Sequence, residues 1–182
     1  LRSLVGSEMC IRDSNIGMRH ISLSTCGLVE KIYDLADRKL QLTLSVSLHA
    51  PNDAIRNEIM PVNAAYPMAE LLAAAKEYAV LTGRRVIFEY ALIKNKNSER
   101  RHAEELASRL RGINCHVNLI PLNHVAERAL MGVTRREAEQ FMAWLTELGI
   151  SATIRREMGT DIEGACGQLR RRVLETQREG NT

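Results

Sequence analysis

Long apolar runs, closely spaced cysteines and phosphate-binding glycine loops are all missing from this chain of 182 residues. No apolar stretch approaches the roughly 20 residues that a membrane-crossing helix requires. Four cysteines, at positions 10, 26, 115 and 166, are too sparse for a disulfide scaffold. No two of them lie within four residues of each other, which excludes the CxxC and CxxxCxxC spacings of zinc and iron–sulfur sites. Such cysteine usage points to a reducing cytoplasm. Neither GxGxxG nor a P-loop is present, so the usual backbone cradles for dinucleotides and triphosphates are absent. His20, His102, His116 and His124 show no metal-ligand spacing, and His102 falls on a polar helix face, where it is expected to be solvated. There is no low-complexity tract and no block of like charge, which argues against wholesale disorder.

What is present suits a single soluble globular domain: 45% of residues are hydrophobic and 26% charged, over a length that can bury a real core. A formal charge of +3 permits an RNA partner without requiring one. The chain begins with Leu1, and residues 1–14, LRSLVGSEMCIRDS, follow neither a helical nor a strand period. VGSEMCIRD resembles a translated sequencing adapter. Residues 1–14 are therefore expected to be foreign, leaving 15–182 as the domain and Cys10 without a role.

From residue 15 onward, β-type runs alternate with helical ones. Strands are predicted at 20–24, 41–49, 85–92, 115–122 and 151–156. Helices are predicted at 28–38 (Leu28, Ile32, Leu35 and Ala36 on one face), 67–82, 98–111 and from the capping box Thr134-Arg135-Arg136-Glu137 to Gly149. A further helix is expected after Asp161. Five strands alternating with helices imply βαβ units and a parallel sheet, either open and doubly wound or curved into a barrel. The strand at 41–49 decides between them. Leu42, Leu44, Val46 and Leu48 point one way, whereas Thr43, Ser45, Ser47 and His49 point the other. A strand covered by helices on both faces would be apolar throughout. A polar face suits a barrel with a polar ligand inside, and such folds gather their functional residues at the C-terminal ends of the strands.

Those ends supply the candidate chemistry. Ser24-Thr25-Cys26-Gly27 closes the first strand, as a ligand-contacting turn or simply a helix cap. Ser47-Leu48-His49-Ala50-Pro51-Asn52-Asp53 closes the second with a hydroxyl, an imidazole and a proline turn. Asn118 to Asn123 brings an amide to the exit of the fourth. Glu89 shares a strand face with Ile87, as a buried site carboxylate or an outward charge. Cys166, between Gly164-Ala165 and Gly167, is a small core residue or an accessible thiol. Arg155, Arg156, Arg170, Arg171 and Arg172 form a basic patch that is a solvated face or a set of phosphate contacts.

Taken together, HISLSTCGLV (20–29), SLHAPND (47–53), MPVN (60–63), FEY (88–90), VNLIPLN (117–123) and TIRREMGTDIEGACGQLR (153–170) resemble one family closely. It is the dual-specificity rRNA/tRNA adenine C2-methyltransferases, a branch of the radical S-adenosylmethionine (radical SAM) enzymes. The resemblance covers residues 15–182 and implies a partial radical-SAM (β/α) barrel, of α/β class, lacking its N-terminal strands. It implies that Cys166 is the cysteine that is methylated and hands the methyl to the base. It also implies that Ser24, Ser47, Leu48, His49 and Asn123 hold S-adenosylmethionine at the barrel mouth. The partners implied are 23S rRNA and tRNA, with no membrane, a monomeric full-length enzyme and a cytoplasmic location. Adenine C2 lies between two ring nitrogens and is not a nucleophile, which explains why such a family uses a radical generated at a 4Fe–4S cluster. The family's cluster motif, its resolving cysteine, a glycine-rich cofactor segment and an N-terminal RNA-binding region have no counterpart in this chain. The chain is thus expected to be the C-terminal part of the enzyme and inactive alone. The related adenine C8-methyltransferases of antibiotic resistance share the carrier cysteine and are the alternative. A non-catalytic half-barrel that binds cofactor or RNA is a third reading.

Overall fold

A computed structural model describes residues 17–122 and 131–155. Five strands, β1 (Ser22–Thr25), β2 (Thr43–Ser47), β3 (Val86–Leu92), β4 (Cys115–Pro121) and β5 (Ala152–Ile154), form one parallel sheet in the order β1-β2-β3-β4-β5. The helices are α1 (Val29–Asp37), α2 (Asp53–Ile59), α3 (Met68–Thr82), α4 (Arg100–Leu110) and α5 (Arg135–Glu147). Each strand pairs with the next one in sequence. With right-handed crossovers, that order sends every connecting helix to the same face of the sheet. A doubly wound sheet must reverse its order to place helices on both faces; this one does not. The result is a segment of a (β/α) barrel wall, with an outer face under helices and an inner face turned to the barrel axis.

The alternation read from the sequence produces these two faces. Register places Val46 beside Phe88, Phe88 beside Val117 and Val117 beside Ala152. Leu44, Val46, Phe88, Tyr90, Val117 and Leu119 are all buried on this outer face, in one core with Leu35 of α1, Leu71 and Tyr78 of α3, Leu106 of α4 and Phe141 of α5. Tyr90 and Phe141 stack at 5.5 Å between ring centroids. The Tyr78 and Tyr90 hydroxyls donate to the carbonyls of Leu42 (3.0 Å) and Asn97 (2.8 Å), so neither ring buries an unpaired O–H.

Local chemistry sets the helix ends. Thr134 and Glu137 form the expected capping box: Thr134 Oγ1 accepts from Glu137 N at 3.3 Å, and Glu137 Oε2 accepts from Thr134 N at 2.6 Å. Asn52 caps α2 by accepting from Ile55 N. Gly132 bridges Ile93 after β3, and a β-carbon there would collide with the Leu122 carbonyl, so only glycine fits.

Several sequence expectations are corrected. His20 lies in a 3-10 turn (Met18–His20) rather than in a strand. The second strand is shorter than 41–49, because the N–H groups of Leu48 and His49 both turn to one acceptor, the Glu89 carbonyl, and His49 adopts φ +58°. Residues 53–59, read only as following a proline turn, are a helix. Leu28 is exposed, and Val29 takes the inward position. His102 is buried rather than solvated, because its Nδ1 accepts from Glu99 N at 3.1 Å in a reciprocal cap of α4. The expected terminal helix, the segment 1–14 and the arginines at 156 and 170–172 lie outside the described residues.

Candidate functional site

The inner face of the sheet is polar row by row. One row runs Ser24, Ser45, Ile87, His116; the next, nearer the C-terminal ends, runs Ser47, Glu89, Asn118, Thr153. The first row and its surroundings are knitted together: Ser45 Oγ lies 3.1 Å from Ser22 Oγ, and His116 bonds Ser151 Oγ (2.9 Å) and Thr153 Oγ1 (2.8 Å). In the second row, Asn118 Nδ2 donates to Glu89 Oε2 at 2.9 Å. Glu89 is half-buried and has no cationic partner among the described residues. It therefore stands on the inner face, half-buried rather than fully buried.

At the mouth, Ser24 is exposed on the last turn of β1, Ser47 is half-buried at the end of β2, and His49 is half-buried two residues on. Register places Ser24 one row behind Ser47 on the adjacent strand, and His49 follows just past the end of β2. Leu48 differs from them: its side chain is fully buried in the outer core. Its N–H serves the Glu89 carbonyl. Asn123 and Cys166 lie outside the described residues.

His49 is the most specifically built of the group. Its Nδ1 accepts from Ala91 N at 3.0 Å, so the neutral ring carries its proton on Nε2. Burial, helped by the charge of Arg56, lowers its pKa to about 4 and keeps it neutral at pH 7. Beside it opens a cleft of about 360 Å³ lined by Met60, Ala91, Ile93 and Leu122, and by Glu58 and Lys96, which form an ion pair at 2.5 Å.

Sequence reading missed the residues that support this mouth. Arg56 is fully buried on α2 and bonds the carbonyls of Cys26, Ser47 and Leu48 and the side chain of Asn63. Asn63 Nδ2 in turn donates to Asp53 Oδ1 at 2.9 Å, which also accepts from Met68 N at 2.8 Å. Burial works to raise the Asp53 carboxyl, but these two hydrogen bonds, with the charges of Arg109 and Arg56, outweigh it and hold it below the ordinary carboxylate value. Gly27, at φ +109°, passes so close to Arg56 that a β-carbon would press on the guanidinium at 3.2 Å. The available signal was SLHAPND and MPVN flanking a single arginine on a short amphipathic segment. Asn97, also fully buried, gave none.

The donor set fits a cationic, hydroxyl-bearing cofactor such as S-adenosylmethionine. The mouth offers two hydroxyls, an N–H donor and an unneutralised carboxylate to a ligand with an amino-acid end, a ribose and a positive sulfur. The described residues do not fit a 4Fe–4S cluster. Such a cluster needs several thiolates converging on one point. The two described cysteines lie at opposite ends of the sheet, Cys26 past the end of β1 and Cys115 at the start of β4. Burial pushes the Cys115 thiol up to about 11, against thiolate formation. Among the described residues, no three His, Cys, Asp or Glu side chains are grouped to hold a metal.

No family model matches the chain. Individual proteins do. It is 54% identical over 160 residues to the "Probable dual-specificity RNA methyltransferase RlmN" of Pelotomaculum thermopropionicum, covering 87% of this chain and 44% of the relative. The protein of the same name from Clostridium tetani is 52% identical over 160 residues, covering 88% and 46%. Among solved structures, a radical SAM methyltransferase from Sphaerobacter thermophilus superposes with a TM-score of 0.86 at 44% identity, over 91% of this chain and 49% of that one. A domain of the pyruvate-formate lyase-activating enzyme from Bacteroides vulgatus shares the fold alone, with a TM-score of 0.63 at 17% identity over 82% and 88%. Fold and sequence together make this chain a homologue of the radical SAM methyltransferases. Within that class, it is homologous to the proteins named RlmN, and it spans just under half of their length.

Proposed function

We propose that this chain is the part of a radical SAM RNA methyltransferase that holds S-adenosylmethionine at the barrel mouth and carries the methyl group on Cys166. The substrate is C2 of an adenine in 23S rRNA and in tRNA. The observation that carries this reading is the row of inward polar groups at the strand ends, on a barrel wall whose relatives bear that name. S-adenosylmethionine supplies the methyl group when bound. Ser24 and Ser47 offer hydroxyls to its polar ends, His49 offers Nε2–H to an acceptor, and Asn123 adds its amide from the exit of β4. Cys166 stands in sequence between the small residues Ala165 and Gly167, a setting that suits approach of a base and a cofactor to a thiol. Arg155, exposed just past β5, would contact the RNA backbone, with Arg156 beside it in sequence as a second phosphate contact. The full-length enzyme works as a monomer in the cytoplasm, and its cluster ligands come from sequence outside this chain. Among the described residues, no helix is long and apolar enough to cross a membrane.

A chimera tests this. Residues 15–182 replace the matching half of an RlmN relative, expressed in bacteria that lack the endogenous enzyme. Mass spectrometry of nucleosides from 23S rRNA and tRNA should show 2-methyladenosine, and Cys166→Ala should abolish it. A folded chimera with its cluster intact that yields no 2-methyladenosine refutes the reading; 8-methyladenosine instead would assign the chain to the C8 enzymes.

A further inference from the structure

The strand end that presents Ser47 and His49 is gripped from behind by two fully buried polar side chains. Arg56 donates through Nη2 to the Ser47 carbonyl (3.2 Å) and the Cys26 carbonyl (2.8 Å), and through Nε to the Leu48 carbonyl (3.2 Å). Asn97 donates through Nδ2 to the His49 carbonyl (2.8 Å) and the Ala91 carbonyl (2.7 Å), while its Oδ1 accepts from Ile93 N (2.7 Å). Three consecutive carbonyls, Ser47, Leu48 and His49, thus each accept from one of these two side chains.

This goes beyond ordinary satisfaction of buried groups. Among the described residues, no carboxylate lies within ion-pair distance of Arg56; Asp53 acts on it from farther off, through Asn63, while its donors themselves are spent on backbone carbonyls and one amide and so fix geometry. His49 sits at φ +58°, a left-handed conformation disfavoured for a residue with a β-carbon. Such a conformation persists only where its surroundings over-determine it. Here they do: Asn97 holds the His49 carbonyl, and Ala91 N–H holds its Nδ1. The same asparagine ties the Ala91 carbonyl, so ring and backbone are clamped to one point on β3. Nε2 makes no hydrogen bond among the described residues and is left as a donor beside the cleft.

We propose that Arg56 and Asn97 are positioning residues that lock the Ser47–His49 turn, so that His49 presents a fixed Nε2–H donor at the barrel mouth to an acceptor atom of the cofactor. The proposal rests on the reading of Ser47 and His49 as cofactor contacts. Its test separates the two ideas. In the nitrogen-15-labelled 182-residue chain at pH 7, long-range proton–nitrogen correlation reports the tautomer of each histidine, with His49 assigned by its loss in His49→Gln. The expected result is a single Nε2–H tautomer for His49. In Asn97→Ser the tautomers should mix and the Ala91 amide should exchange at least tenfold faster, while the amide spectrum elsewhere is retained. Arg56→Lys, which keeps the charge but loses the three-way grip, should shift His49 in the same direction and serves if the Asn97 variant does not fold. A mixed or Nδ1–H tautomer in the unaltered chain, or His49 unmoved in both variants, overturns the proposal. Added S-adenosylmethionine examines the underlying reading separately, in the cluster-bearing chimera rather than in the isolated chain: a locked tautomer whose signals ignore the cofactor there upholds the positioning role and refutes the cofactor contact.

Discussion

The two faces of the sheet are built from the same strands, yet they are different materials. On the outer face, Val46, Phe88 and Val117 lie side by side and are fully buried beneath the helices. On the inner face, the neighbouring rows are serines, Glu89, Asn118 and His116, linked by hydrogen bonds and partly open. The outer face removes apolar area from water and so holds the fold. The inner face adds little to burial but collects donors and acceptors where the strands end. Stability and chemistry are therefore divided between odd and even positions of each strand. A substitution's consequence should depend on which face it strikes more than on how far along the strand it lies.

The sharpest contrast is predicted between Phe88→Ala and Ser24→Ala. Phe88 is fully buried, so its truncation should cost about 3–5 kcal/mol of unfolding free energy. Ser24 is exposed, and its truncation should change stability by less than about 0.5 kcal/mol. Urea unfolding of the two variants measures both; equal losses would dissolve the division between faces.

His49 belongs to the mouth yet is coupled to the fold, and pH reveals the link. Its folded-state pKa, about 4, lies below the ordinary value of 6.5, so the unfolded chain takes up the proton first. Its contribution to stability is full above pH 6.5, falls as the pH drops toward 4, and levels off below that. The shift corresponds to at most about 3 kcal/mol, and to less once the ring's partial exposure is allowed for. Unfolding measured from pH 7.5 to 4 should show this decline, and His49→Gln should flatten it. An unchanged slope in the variant would place the effect on other groups.

The smallest effect concerns a site remote from both faces. Thr134→Ala removes the side-chain cap of α5 and should cost about 1 kcal/mol. The carboxyl of Glu137, lowered to about 2 by hydrogen bonds from the Thr134 N–H and hydroxyl and by Lys94, should titrate closer to its usual value in that variant. Nuclear magnetic resonance of the Glu137 side chain follows that change directly; a carboxyl that still titrates near 2 would show that the backbone bond suffices.

Much of the fold could be read from residue order because alternation and capping are local. Leu42, Leu44, Val46 and Leu48 against Thr43, Ser45 and Ser47 disclose a strand with one dry and one wet face, and Thr134 with Glu137 announces a helix start. The barrel rather than the doubly wound sheet also followed from that wet face. Boundaries slipped where long-range partners intervene: β2 ends at Ser47 because the N–H groups of Leu48 and His49 compete for the Glu89 carbonyl, far along the chain on β3. His102 was misplaced because a histidine's polarity says nothing about a backbone N–H waiting to be capped.

Periodicity thus determined most of the strands and helices and the polar face on which Ser47 stands, since these depend on neighbours two to four residues apart; it left the direction of Glu89 and the helix at 53–59 open. Only the tertiary structure decided that Arg56 would be buried with no carboxylate in ion-pair contact among the described residues, and that Asn97 would reach back to His49. It also decided that the imidazole would keep its proton on Nε2. Those outcomes depend on where carbonyls 8, 9, 30 and 48 residues distant come to rest, and a hydrogen bond is set by the positions of its two ends in space, which local pattern does not encode.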